Sequence, residues 1–117
     1  MYGSAEGKAN VDKADDSGTT PLFVAVENGN LGVVKCLVEE GKANVDQAMN
    51  DGATPIIIAA QNGHLDTVKY PVEGVKANVD QAINDGATPL IMAAQNGHLD
   101  TVKCLFEEGK ANVNLPM

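Results

Sequence analysis

The chain has 117 residues and a formal net charge of −8, with no tryptophan and only two tyrosines and two phenylalanines. That length allows one small domain, whose core must come from many small aliphatic side chains rather than from aromatics. All eight basic residues are lysine, so no arginine is there for bidentate base contacts and no basic stripe for phosphates, which argues against nucleic acid and an anionic membrane surface.

The opening stretch Glu6 to Gly18, EGKANVDKADDSG, reads as the tail of a unit whose helices are absent. Thr20-Pro21, Thr54-Pro55 and Thr88-Pro89 then recur every 34 residues, as do Asn28-Gly29, Asn62-Gly63 and Asn96-Gly97. This divides a single domain, 1–117, into a partial leading repeat (1–15) and repeats at 16–49, 50–83 and 84–117, the last truncated. Each threonine reads as a helix N-cap, and the proline after it fits the first helical position because its missing N–H needs no partner there. In the second unit IIIAAQN supplies a short helix that Gly63 stops in a left-handed conformation, and a second helix starts at about Leu65. The segment KANVDQAINDGA has no helical periodicity and reads as an extended strand–turn–strand excursion. Neither helix is long enough to be stable alone, so each needs a neighbouring copy to cover its apolar face.

The stretch DGATPLIMAAQNGHLDTVKCLFEEGKANVN, Asp85 to Asn114, closely resembles the ankyrin repeat, and the likeness extends over about residues 15 to 114. The resemblance implies an all-α fold with short β-hairpin loops, an ankyrin-repeat solenoid of stacked helix–turn–helix units. It also implies a non-catalytic protein–protein interaction module that binds through hairpin tips and the concave first-helix face. The chain departs from the family in three ways. Each unit carries one extra residue, near Lys42, Lys76 and Lys110. Phe23, Ile57 and Ile91 stand where the family commonly has histidine, and the leucine rings of the second helix are thinner. Finally, KCLVEEGK and KCLFEEGK of the outer units become KYPVEGVK in the middle one. Pro71 there removes a backbone bond and clashes with the Thr67 carbonyl, a cost on the order of 3 kcal/mol in a helix interior. A kink at Pro71 and an early helix end capped by Gly74 are expected.

Candidate chemistry is sparse. His64 and His98 follow Asn-Gly turns about one layer apart, roughly 10 Å, too far to share a metal, and a turn-stabilising role is expected. Asp12, Asp46 and Asp80, and the tip acids Asp16, Asp51 and Asp85, suffer the same spacing and read as turn formers. Asn114 reads as a hairpin residue. Cys36 and Cys104 lie two repeats apart, too far for a disulfide, and read as small, reduced core residues. No nucleophile–base constellation can be assembled from one repeat type, so neither enzyme activity nor a cofactor is expected. No apolar stretch reaches bilayer length and no leader pattern opens the chain, so a soluble, cytoplasmic protein is expected.

What remains is a surface. By the family's layout Val24, Ile58 and Met92 form an apolar inner strip, with Glu27, Gln61 and Gln95 beyond it. The tips contribute Asp16, Ser17 and Thr19, then Asn50, Asp51 and Ala53, then Asn84, Asp85 and Ala87. Such a strip with an acidic, amide-rich rim suits a basic or amphipathic protein partner. Residues 44–69 and 78–103 differ only at Met49/Ile83, Ile56/Leu90 and Ile58/Met92. Tips this uniform suit a recent duplication, a scaffold segment or an engineered near-consensus array. The alternative reading is a self-assembling scaffold segment: Leu105, Phe106 and Leu115 are expected at an uncapped edge that invites end-to-end stacking.

Overall fold

The computed structural model describes residues 10–111. Six short helices follow one another: α1 (Pro21–Glu27), α2 (Leu31–Lys35), α3 (Pro55–Asn62), α4 (Leu65–Lys69), α5 (Pro89–Gln95) and α6 (Leu99–Lys103). Each even-numbered helix continues as a wider π-helical turn, at Cys36–Glu40, Tyr70–Val75 and Cys104–Glu108. Helix pairs α1/α2, α3/α4 and α5/α6 form layers 1, 2 and 3, with α1, α3 and α5 packed side by side. The resulting body is elongated, 47 × 26 × 20 Å.

The caps lie where the sequence places them. The Thr20, Thr54 and Thr88 hydroxyls accept from the amides of Phe23, Ile57 and Ile91 at 3.2, 3.4 and 3.2 Å. All three threonines are buried, so each cap also removes an otherwise orphaned donor from the interior. Gly63 ends α3 in the left-handed region, at φ 71°. The core between layers is aliphatic and small: Leu22, Val26, Ile56, Ala59, Ala60, Val68, Val72, Ala93 and Leu105. Ala59 and Ala60 are completely covered, and side chains this short let three inner helices approach closely without aromatics.

The excursions between layers differ from the expected paired strands: no strand is present among the described residues. Each loop is instead pinned at its tip by two backbone bonds: Asp15 N–H to the Thr19 carbonyl (3.0 Å) with Gly18 to Asp15 (2.9 Å), Met49 to Ala53 (2.8 Å) with Gly52 to Met49 (2.9 Å), and Ile83 to Ala87 (2.9 Å) with Gly86 to Ile83 (2.9 Å). The loops pair with their counterparts in the next layer rather than folding back as ladders.

The π-helical turns explain the extra residue per unit. A helix can absorb one inserted residue by widening to i→i+5 bonding, as the Gly41 amide does with the Cys36 carbonyl and Gly109 with Cys104, both at 3.1 Å. The chain then reverses through Lys42, Lys76 and Lys110, whose φ angles of 59°, 62° and 57° are left-handed.

Around Pro71 the expectation of an early end is overturned. The middle helix runs through Gly74 to Val75, one residue beyond its outer counterparts, and Lys76 rather than Gly74 is the left-handed cap. The wider turn gives the proline ring more room against the Thr67 carbonyl, and the Asp66 carbonyl is taken by the Tyr70 amide. In the outer layers a side chain at Gly41 or Gly109 would come within 2.7 or 2.8 Å of the Leu37 or Leu105 carbonyl. Val75 occupies that place in layer 2, so Pro71 and Val75 belong to one altered backbone path.

Candidate protein-binding face

The tips are built by carboxylates and amides from the same short phrase. In the first loop Asp15 Oδ1 accepts from the Ser17 and Thr19 amides at 2.9 and 3.0 Å. These backbone donors, Thr19 foremost, hold the Asp15 carboxyl below the ordinary aspartate range. In the later loops the acid moves two places along, and Asp51 and Asp85 accept from Ala53 and Ala87. Gly18, Gly52 and Gly86 turn the chain at φ near 90°.

A ladder then joins tip to tip. The Asn50 amide donates to the Ser17 carbonyl at 3.0 Å and Asn84 to Asp51 at 2.9 Å. Their side-chain Nδ2 groups donate to the carbonyls of Asp16 and Asn50, at 2.8 and 3.2 Å. A second ladder runs behind the tips, where Asp12 and Asp46 accept from the amides of Asn44 and Asn78, both at 2.9 Å. These aspartates are therefore inter-layer acceptors, not merely turn formers.

At the other end of the layers the Asn-Gly-His turns do the same work. Asn62 and Asn96 donate through Nδ2 to the carbonyls of Glu27 and Gln61, at 3.2 and 3.0 Å. His98 Nε2 lies 3.0 Å from the Gln61 carbonyl, which can only accept, so that nitrogen carries the proton. The His64 and His98 rings cover Gly29 and Gly63 of the preceding layer. Their role is thus between layers rather than within one turn. Among the described residues no group of three or more His, Cys, Asp or Glu side chains is placed to hold a metal.

The structure sorts the expected surface residues. Asp16, Ser17, Glu27, Asn50, Asp51, Gln61, Asn84, Asp85 and Gln95 are exposed, and Thr19 is half-buried. Val24 is 43 % exposed, whereas Ile58 and Met92 are half-buried. Ala53 is half-buried and Ala87 buried, so Ala87 is not part of the tip surface. Two further readings need correction. Cys36 is exposed rather than buried, while burial pushes the thiol of buried Cys104 up. Leu105 is fully buried under layer 2, leaving Leu99 and Phe106 as the exposed apolar groups of layer 3. Asn114 and Leu115 lie outside the described residues.

One contact was not foreseen. Tyr70 Oη donates to Glu39 Oε2 at 2.8 Å across layers 2 and 1, and Lys35 Nζ stands 5.6 Å from the Tyr70 ring centroid. Desolvation and then the Glu39 carboxylate push the phenol pKa up, so it remains a donor at neutral pH. The available signal was the replacement of cysteine by tyrosine in the middle unit.

Stacked helix pairs, repeated capping and inter-layer ladders define a helical-repeat solenoid. Family models describing ankyrin repeats in three copies match residues 4–81, and a single ankyrin repeat matches residues 85–117. The chain belongs to the ankyrin repeat family, whose members generally mediate protein–protein interaction. A search of curated proteins gave no match. No helix among the described residues is long and apolar enough to cross a membrane.

Proposed function

We propose that this chain binds a basic or amphipathic protein segment along the hairpin tips and first helices, without catalysis. The carrying observation is the placement of the lysines. The tips and first helices bear Asp15, Asp16, Glu27, Asp51 and Asp85 and no lysine beyond Lys13 at the base of the first loop, whereas Lys35, Lys42, Lys69, Lys76, Lys103 and Lys110 sit on or just after the second helices, where acids such as Glu39, Asp66 and Glu107 accompany them. Exposed Val24 offers an apolar foothold on layer 1 of that face, and the exposed amides Gln61 and Gln95 continue it on layers 2 and 3. Their neighbours Asn50 and Asn84 already spend side-chain donors on the ladder, so they shape the tips more than they bind. Two unpaired cysteines suit a reducing compartment such as the cytoplasm. The test is retention of partners from a native lysate by wild type, by Val24→Arg/Gln61→Arg, and by Lys42→Glu/Lys76→Glu as an outer-face control. Loss in the first variant and not the second is expected; equal retention by all three refutes the reading.

A second reading rests on the open faces of layers 1 and 3. Leu99 is 63 % and Phe106 41 % exposed, while their layer-2 counterparts Leu65 and Val72 are half-buried and buried; at the other end Val33 is 50 % exposed where Thr67 is buried. These are the two halves of the interface the chain makes internally, so a second copy stacking end to end would cover them. Light scattering across protein concentration decides: a rising mass that Phe106→Glu abolishes supports stacking, and a constant monomer mass rejects it.

A further inference from the structure

Layer 2 departs from its neighbours in one stretch, where Tyr70-Pro71 and Gly74-Val75 replace Cys-Leu and Glu-Gly. Two of these changes weaken the outer helix. Pro71 has no N–H to give, and Gly74 inside the helix adds backbone freedom to the unfolded chain. Proline also fills less space than Leu37 or Leu105 at the same position. A void beside it, lined by Tyr70 and Pro71 of layer 2 and by Leu22, Val26, Val34 and Val38 of layer 1 among others, has a volume of about 10 Å³, room for no more than one water. Apolar contacts are thus lost there with nothing to replace them.

Tyr70 acts in the opposite direction. Its hydroxyl reaches Glu39 and its ring lies beneath the Lys35 ammonium, two groups one helical turn apart on the outer helix of layer 1. The ladder bonds each use a backbone partner, whereas this contact joins side chains only. Layers 1 and 3 carry Cys36 and Cys104 at the Tyr70 position, and neither can make it.

We propose that Tyr70, Glu39 and Lys35 form a latch that holds the proline-interrupted outer helix of layer 2 against layer 1. The array opens first at Tyr70–Val75, and the inner helices stay stacked while it does. The interaction face on α1, α3 and α5 therefore keeps its shape through these openings.

Native-state amide hydrogen exchange on the whole chain tests this. Tyr70→Phe is expected to speed exchange of the Val72–Ala77 amides about tenfold, leaving Ile57–Ala60 at the wild-type rate. Glu39→Ala removes the acceptor from the exposed surface of layer 1, so it threatens no core packing, and the same local acceleration is expected. In a Pro71→Leu background, where the helix regains its missing donor, Tyr70→Phe should accelerate exchange less. Acceleration spread evenly over α1, α3 and α5, unchanged Val72–Ala77 rates, or an undiminished effect in the Pro71→Leu background would each overturn the proposal.

Discussion

Single residues in this array are defined by the layer beneath them. Gly63 and Gly97 share the Asn-Gly turn and left-handed φ angles of 71° and 75°. A Cβ on Gly63 would stand 2.6 Å from His98 Nδ1, while one on Gly97 meets nothing within 4 Å. Both alanine substitutions incur backbone strain of about 1 kcal/mol. Gly63→Ala must in addition push a histidine ring off its carbonyl partner, losing about 1 kcal/mol more. Chemical denaturation should therefore rank Gly63→Ala as clearly the more destabilising; equal losses would mean the ring moves freely. The sequence made the turn legible, because Asn-Gly is local chemistry. It did not reveal the histidine's partner, since a contact between positions 37 residues apart depends on how the layers stack.

At the scale of elements, what could be read ahead was whatever repeats with its own punctuation. Threonine caps, prolines at the first helical position and glycine stops each act within a few residues, and all three units carry them. The π-helical turns were not visible, although their cause was: one surplus residue per unit can enter a helix or a loop, and tertiary packing decides. The path of the Pro71 helix depends on packing in the same way. Proline's local effect predicts a break, but a turn already widened in every layer has room for its ring. Because Val75 sits where Gly41 and Gly109 admit no side chain, the two substitutions are coupled. Pro71→Leu/Val75→Gly together should restore the outer-layer path, regain a backbone bond and fill the void, raising stability by about 3 kcal/mol. Pro71→Leu alone should give less, because Val75 then meets the carbonyl of residue 71; equal gains from single and double variants would break the coupling.

Over the whole molecule, repetition produces a continuous surface instead of a point where different groups converge. Layers 2 and 3 contribute the same acid and the same amides, layer 1 carries Asp16 and Glu27 in place of those amides, and six of the eight lysines sit on or just after the second helices. The family and the helical class were legible because they depend on period; the surface was legible only in outline. Ile58 and Met92 were placed on an open strip, yet neighbouring loops and helices half-cover them while Val24 stays open. That difference depends on packing between layers, which no single repeat encodes. The central claim is that the acidic first-helix face takes a cationic segment, and chemical-shift mapping tests it most directly. The titrant is an extended peptide with lysine at every third residue, a spacing of about 10 Å that matches one layer. Shifts are expected to concentrate at the tips around Asp16, Asp51 and Asp85 and at Val24, Gln61 and Gln95, and to weaken with added salt. Shifts confined to the second helices, to Leu99 and Phe106, or equal for a glutamate peptide of the same length, would contradict it.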